Sequence, residues 1–120
     1  MAAARRVLVV GDDRVERERL RAELEADGHV VDVCVDGEAA LVHLRAVGVA
    51  PTMVVLDLEM LDLSGWTLID GLRGDPRLAD VPFAVLAHGH DDADLAGLTV
   101  FRRPVAWPAL RAWCAHHARS

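Results

Sequence analysis

The sequence contains no lysine, asparagine, glutamine or tyrosine. All thirteen basic residues are therefore arginine, and with abundant alanine this reads as a GC-rich coding bias. Five prolines and nine glycines in 120 residues are too few for a collagen-like or low-complexity chain. The two cysteines, Cys34 and Cys114, have neither a metal-type pair spacing nor the density of a disulfide framework. They read as buried packing, and a reducing cytoplasm is the expected location. No stretch approaches the roughly eighteen consecutive apolar residues of a membrane span. Residues 1–6 hold no signal-peptide apolar region. A soluble protein without membrane contact is expected. The net charge of −6 disfavours a nucleic-acid surface spread over the fold, because phosphate neutralisation needs clustered cations, but it leaves a divalent cation plausible.

What is present describes a packed globule: 52% hydrophobic residues, 27% charged, and a length suited to one domain, residues 1–120. Arg6-Val-Leu-Val-Val10 is a β-branched run without polar interruption, as in a strand buried on both faces. Asp13 then caps a helix over 14–27, with Val15, Leu20 and Leu24 as its apolar positions and Gly28 as its stop. Strand-like alternation over 29–35 is followed by Asp36-Gly37 and a helix over 38–47. Met53-Val-Val-Leu56 is the most apolar strand and is expected at the centre. A helix over 66–73, a strand over 83–86, a fifth strand marked by Val100-Phe101 and a helix with Pro108 in its first turn complete the chain. Alternating strand and helix predicts one α/β domain with a parallel sheet covered on both faces.

In such a sheet, ligands bind beyond the carboxyl ends of the strands. Asp12 and Asp13 follow the first strand, Asp57 and Glu59 the third, Ala87 and His88 the fourth, and Arg102 and Arg103 the fifth. Acids from neighbouring strands form a hard-oxygen site suited to Mg²⁺, and an arginine beside them can balance a phosphoryl group. Asp13 is as good a helix cap as a ligand. The mixed charges over 14–21 read as a solvated face with i,i+4 pairs. His88-Gly-His90-Asp-Asp92 and His116-His117 read as solvated, and Trp66, Trp107 and Trp113 as packing residues.

Over nearly its whole length the chain resembles the CheY-like receiver domains of two-component response regulators. Val7-Leu-Val-Val-Gly-Asp-Asp13 is similar to the family's first strand and acidic pair, and Asp36-Gly-Glu-Ala-Ala-Leu41 to the opening of its second helix. Leu56-Asp-Leu-Glu-Met-Leu-Asp-Leu-Ser-Gly65 resembles the segment around the phosphoacceptor. Asp75-Pro-Arg-Leu-Ala-Asp-Val-Pro82 resembles the approach to the fourth strand, and Arg103-Pro104 stands where the family has Lys-Pro. The resemblance implies a flavodoxin-like (βα)5 three-layer sandwich with sheet order 2-1-3-4-5. It puts Asp57 in the phosphoacceptor role and Arg103 in that of the family's lysine. Asp12, Asp57 and the Glu59 carbonyl become the ligands of a weakly held Mg²⁺, and a histidine kinase or phosphotransferase the donor.

Several positions depart from the family pattern. Gly11 replaces the first acid of the pair, Ala87 the hydroxyl residue ending the fourth strand, Val100 the switch aromatic, and Leu61 the proline after the acceptor. Arg103 trades a compact ammonium for a longer planar fork. Between Ala87 and Arg103 the chain is about six residues shorter than receivers usually need, more than one turn at roughly 3.6 residues per turn. The helix before the fifth strand is thus expected as a stub over 91–98, a shortened fourth helix. With that face reduced, a monomer or weak dimer is expected, with an apolar patch near Leu95, Leu98 and Phe101.

Three function classes follow: a receiver phosphorylated on Asp57, a pseudo-receiver that binds a partner without phosphorylation, and a haloacid-dehalogenase-type phosphatase. The last needs a second aspartate where Glu59 stands and a lysine that the chain lacks. A signalling module with atypical chemistry is the favoured expectation, an enzyme at most toward its own phosphoryl group, with no direct nucleic-acid binding.

Overall fold

The computed structural model describes residues 5–46, 50–57, 65–87 and 99–118, and for Gly65 and Trp66 the backbone alone. The elements are β1 (Arg6–Val10), α1 (Arg14–Ala26), β2 (Val30–Cys34), α2 (Gly37–Ala46), β3 (Met53–Asp57), α3 (Gly65–Gly74), β4 (Phe83–Ala87), β5 (Thr99–Arg102) and α4 (Trp107–Ala118). The expected short helix over 91–98, with Leu95 and Leu98, lies outside the described residues.

The five strands form one parallel sheet in the order β2-β1-β3-β4-β5. Every residue of β3 is buried, as befits the middle strand. Because successive side chains along a strand point to opposite faces, each apolar run supplies two cores. Leu8, Val10, Val54, Leu56, Val85 and Ala87 face α2 and α3, meeting Leu44, Leu68, Ile69 and Leu72. Val7, Val9, Met53, Val55 and Leu86 face α1 and α4, meeting Leu20, Leu24, Leu110 and Cys114. Cys34 belongs to the first core and Cys114 to the second, and both thiols are free. The result is the flavodoxin-like three-layer sandwich.

Local chemistry sets the helix ends. Asp13 Oδ1 accepts from the Glu16 backbone N–H at 3.1 Å, and Asp36 Oδ1 from that of Ala39 at 2.7 Å, so each aspartate satisfies a helix-end donor. At the far end of α1, Gly28 takes φ +88°, open to glycine at no steric cost. The His29 N–H then donates to Leu24 O and that of Gly28 to Glu25 O, a Schellman closure.

Two details of α1 differ from the sequence expectation. Val15 is 81% exposed rather than part of the apolar stripe. The line of residues 16, 20 and 24, spaced by four, is the one that faces inward, and Val15 falls one residue off it. Of the charged run, Arg19 pairs with Glu23 and Arg21 with Glu25 as a solvated face should. Glu16 and Arg17 instead turn towards the sheet. Trp107 and Trp113 lie at the margin of the α1–α4 core rather than within it. The Arg19 guanidinium sits 4.8 Å over the Trp107 ring, and Trp113 meets Phe101 edge-on.

Candidate functional site

The sheet order reverses between β1 and β3: the chain runs outward from β1 to β2, then returns to the other side of β1. That reversal opens a crevice at the carboxyl ends of β1 and β3. Gly11 and Asp12 follow β1, and Asp57 is the last residue of β3. Arg103 follows β5, its backbone N–H donating to Ala87 O at 2.9 Å, and its peptide bond to Pro104 is cis.

Asp57 is a buried acid, its side chain 8% exposed, and Arg103 Nη2 lies 3.1 Å from its Oδ2. The arginine that stands where the family has lysine thus faces Asp57 directly. Arg103 has a second partner that the sequence reading missed. Its Nε donates to Glu16 Oε2 and its Nη2 to Glu16 Oε1, both at 2.8 Å. One guanidinium thus serves two carboxylates through a shared Nη2, while its Nη1 is buried with no partner among the described residues. The Glu16 hydrogen bonds, followed by the charge of Asp57, hold the guanidinium in its protonated form against the opposing effect of burial.

A second arginine closes the near side. Arg17 Nη1 donates to Gly11 O at 2.9 Å, and its Nε is buried without a partner among the described residues. Gly11 itself is the floor between them: a Cβ built there would lie 3.6 Å from Asp57 Cβ and 4.0 Å from Arg17 Cγ. Two guanidinium groups and three carboxylates, counting the exposed Asp12, therefore belong to this end of the sheet.

For a divalent cation, Asp12 and Asp57 supply the hard oxygens Mg²⁺ prefers, and Gly11 leaves the flank of Asp57 open. No group of three His, Cys, Asp or Glu side chains converges among the described residues. Those donors fit a loosely held ion. Glu59, expected to add a carbonyl, lies outside the described residues, as do His88, His90, Asp91, Asp92 and Leu61.

The positions that depart from the expected pattern are also defined. Ala87 is fully buried and offers the crevice no hydroxyl. Val100 packs against the α2–α3 core, whereas Phe101, one residue on, packs against the opposite one. The neighbouring aromatic is thus turned away from the face where the switch residue would lie.

The response regulator receiver domain family matches residues 7–100. The chain belongs to that family. This receiver domain is 33% identical over 81 residues to the DNA-binding dual master transcriptional regulator RpaA of Synechocystis, and 40% identical over 81 residues to the response regulator MprA of Mycobacterium tuberculosis. Both matches cover 68% of this chain and only about a third of the relative's length. In solved structures it resembles the signal receiver domain of a histidine kinase from Syntrophus aciditrophicus, with TM-score 0.87 and 23% identity over 97% of this chain and 91% of that one. The receiver domain of the sensor histidine kinase PA1611 from Pseudomonas aeruginosa, whose active-site cleft coordinates a magnesium ion, gives TM-score 0.86 at 20% identity, covering 98% of this chain and all of that one. The domain is a two-component signalling module, and no helix among its described residues is long and apolar enough to cross a membrane.

Proposed function

We propose that Asp57 accepts a phosphoryl group from a histidine kinase or phosphotransferase and that Arg103 receives the added charge. The observation that carries this reading is the ion pair of a buried strand-end carboxylate with a guanidinium 3.1 Å away. An Asp57 carboxylate oxygen forms the new P–O bond as the donor's P–N bond breaks. The imidazole leaves with the bonding electrons. Water later cleaves the acyl phosphate, releasing inorganic phosphate and restoring the carboxylate. The module is thus an enzyme only toward its own phosphoryl group. Its added charge of about −1.5 to −2 must be met locally, and the unpartnered Nη1 of Arg103 is a donor suited to it.

Asp12, Asp57 and the Glu59 carbonyl are the residues that would hold Mg²⁺. When bound, the ion neutralises phosphoryl oxygens. Around it, Asp57 supplies the nucleophile, Arg103 the fixed counter-charge, and Gly11 the space. The same reading has residues 1–120 act as one unit in the cytoplasm, as a monomer or weak dimer. With a net charge of −6, the domain makes no direct nucleic-acid contact.

Intact mass after incubation with acetyl phosphate and Mg²⁺ tests the proposal. A gain of one phosphoryl group in the wild type and none in Asp57→Asn is expected; an unmodified wild type would overturn it. A pseudo-receiver is the second reading, favoured by one observation: Glu16 already occupies two of the three Arg103 nitrogens.

A further inference from the structure

We infer that Glu16 is a positioning residue that sets how much of the Arg103 guanidinium is available to a phosphoryl group on Asp57; this rests on the phosphoacceptor reading of Asp57. Three observations combine. First, the clamp is bidentate, with Nε and Nη2 both at 2.8 Å from the Glu16 carboxylate, whereas the contact to Asp57 is a single ion pair at 3.1 Å. Arg103 is therefore oriented chiefly by α1 and only secondarily by β3. Secondly, the clamp is sheltered: the side chains of Arg103 and Glu16 are 19% and 17% exposed, so solvent screens the pair less than a surface bridge. Thirdly, Glu16 is held in place from its own backbone, whose N–H is fixed by the Asp13 cap at the start of α1.

A phosphoryl group on Asp57 would bring negative charge to the nitrogen that Asp57 and Glu16 share. Nη2 cannot serve all three acceptors with good geometry, and the Glu16 carboxylate repels the newcomer. Two arrangements are then in competition. In one, the guanidinium stays clamped and gives the phosphoryl group only Nη1. In the other, it leaves Glu16 and turns wholly to the phosphoryl group. The clamp thus taxes phosphoryl binding, and releasing it frees the first turn of α1 from the chain that follows β5. A ligand shifts such a balance only by its differential affinity for the two arrangements. The Glu16 carboxylate is what makes that difference.

The test is a beryllofluoride titration in saturating Mg²⁺, followed by ¹⁹F NMR, on the wild type, Glu16→Gln and Glu16→Ala, each also in an Arg103→Ala background. Both Glu16 variants should bind about tenfold more tightly than the wild type, and that gain should vanish when Arg103 is alanine. The ¹⁵N signal of the Arg103 Nε–H gives an independent reading. It should move on beryllofluoride binding in the wild type and start from the shifted position in Glu16→Ala. Wild-type binding with no gain in either Glu16 variant would overturn the clamp alone, as would an equal gain without Arg103. Absence of binding in all folded variants would defeat the phosphoacceptor reading and the clamp with it.

Discussion

Gly11 and Asp57 stand against each other across the β1–β3 seam, so close that a Cβ on Gly11 would lie 3.6 Å from the Asp57 Cβ. That separation is ordinary van der Waals contact, and Gly11 has no positive φ. The site thus has room for a side chain that the chain does not supply, and the missing group is an acid by family pattern.

Gly11→Asp should therefore fold without backbone adjustment and add a hard-oxygen ligand beside Asp57. Isothermal titration should show Mg²⁺ affinity rising by about an order of magnitude, roughly 1.4 kcal/mol. The variant should also melt lower than wild type without Mg²⁺, because like charges are brought together, and recover when the ion is added. An unchanged affinity would mean that Asp12 and Asp57 do not form the ion's site.

Ala87 should limit how far a phosphoryl group on Asp57 propagates. A charge-assisted hydrogen bond of about 1.5–3 kcal/mol is unavailable from its methyl group, while a swing from 1:99 to 99:1 needs about 5.5 kcal/mol. Amide shifts on beryllofluoride binding should be small over 83–87 and 99–118. Ala87→Thr should enlarge them, at an overpacking cost of about 1–3 kcal/mol in this fully buried position. Large wild-type shifts over those segments would contradict this.

Gly28 closes α1 with φ +88°. A Cβ there meets nothing within 4 Å, so its cost is conformational rather than steric with neighbours. Gly28→Ala should destabilise the domain by about 1–2 kcal/mol in chemical denaturation. No loss would mean that the Schellman closure relaxes freely.

His29 carries an acid sensitivity. It is 7% exposed, its Nδ1 has no partner among the described residues, and burial lowers its pKa, with Asp27 opposing. The folded state therefore binds this proton less readily than the unfolded state. Its stability contribution is complete above the unfolded value near pH 6.5 and is lost as pH falls through the lower folded value. Melting temperature should decline from pH 7 towards pH 5, and His29→Gln should flatten that slope. His117, lowered by burial and by His116, leaves a smaller residual slope. An identical slope in His29→Gln would assign the effect elsewhere.

The order of elements was legible because each strand is a short β-branched run ending in a turn residue, and because Asp13 and Asp36 stand where helix caps must stand. The nearness of Asp57 and Arg103 was also legible, since the one ends and the other follows a strand at the same carboxyl end of the sheet. Glu16 was not. In a run of alternating charge it looks like one more solvated side chain, and only its spacing of four from Leu20 and of eight from Leu24 marks it as inward-facing. Periodicity says which way a residue points, but it does not say that an arginine some ninety positions away will meet it there.

The sheet also separates the two cysteines, one in each core, and burial raises both thiols, that of Cys114 to about 12. Neither has appreciable thiolate at neutral pH, and with the sheet between them they do not meet. The domain thereby holds an internal chemical reporter on each side of its central layer. An alkylating reagent can reach the fully buried Cys114 only when the α1–α4 layer lifts, whereas Cys34, 8% exposed at the end of β2, keeps a small direct access. The labelling rate of Cys114, measured against that of Cys34, reports how often the α1–α4 side of the molecule opens.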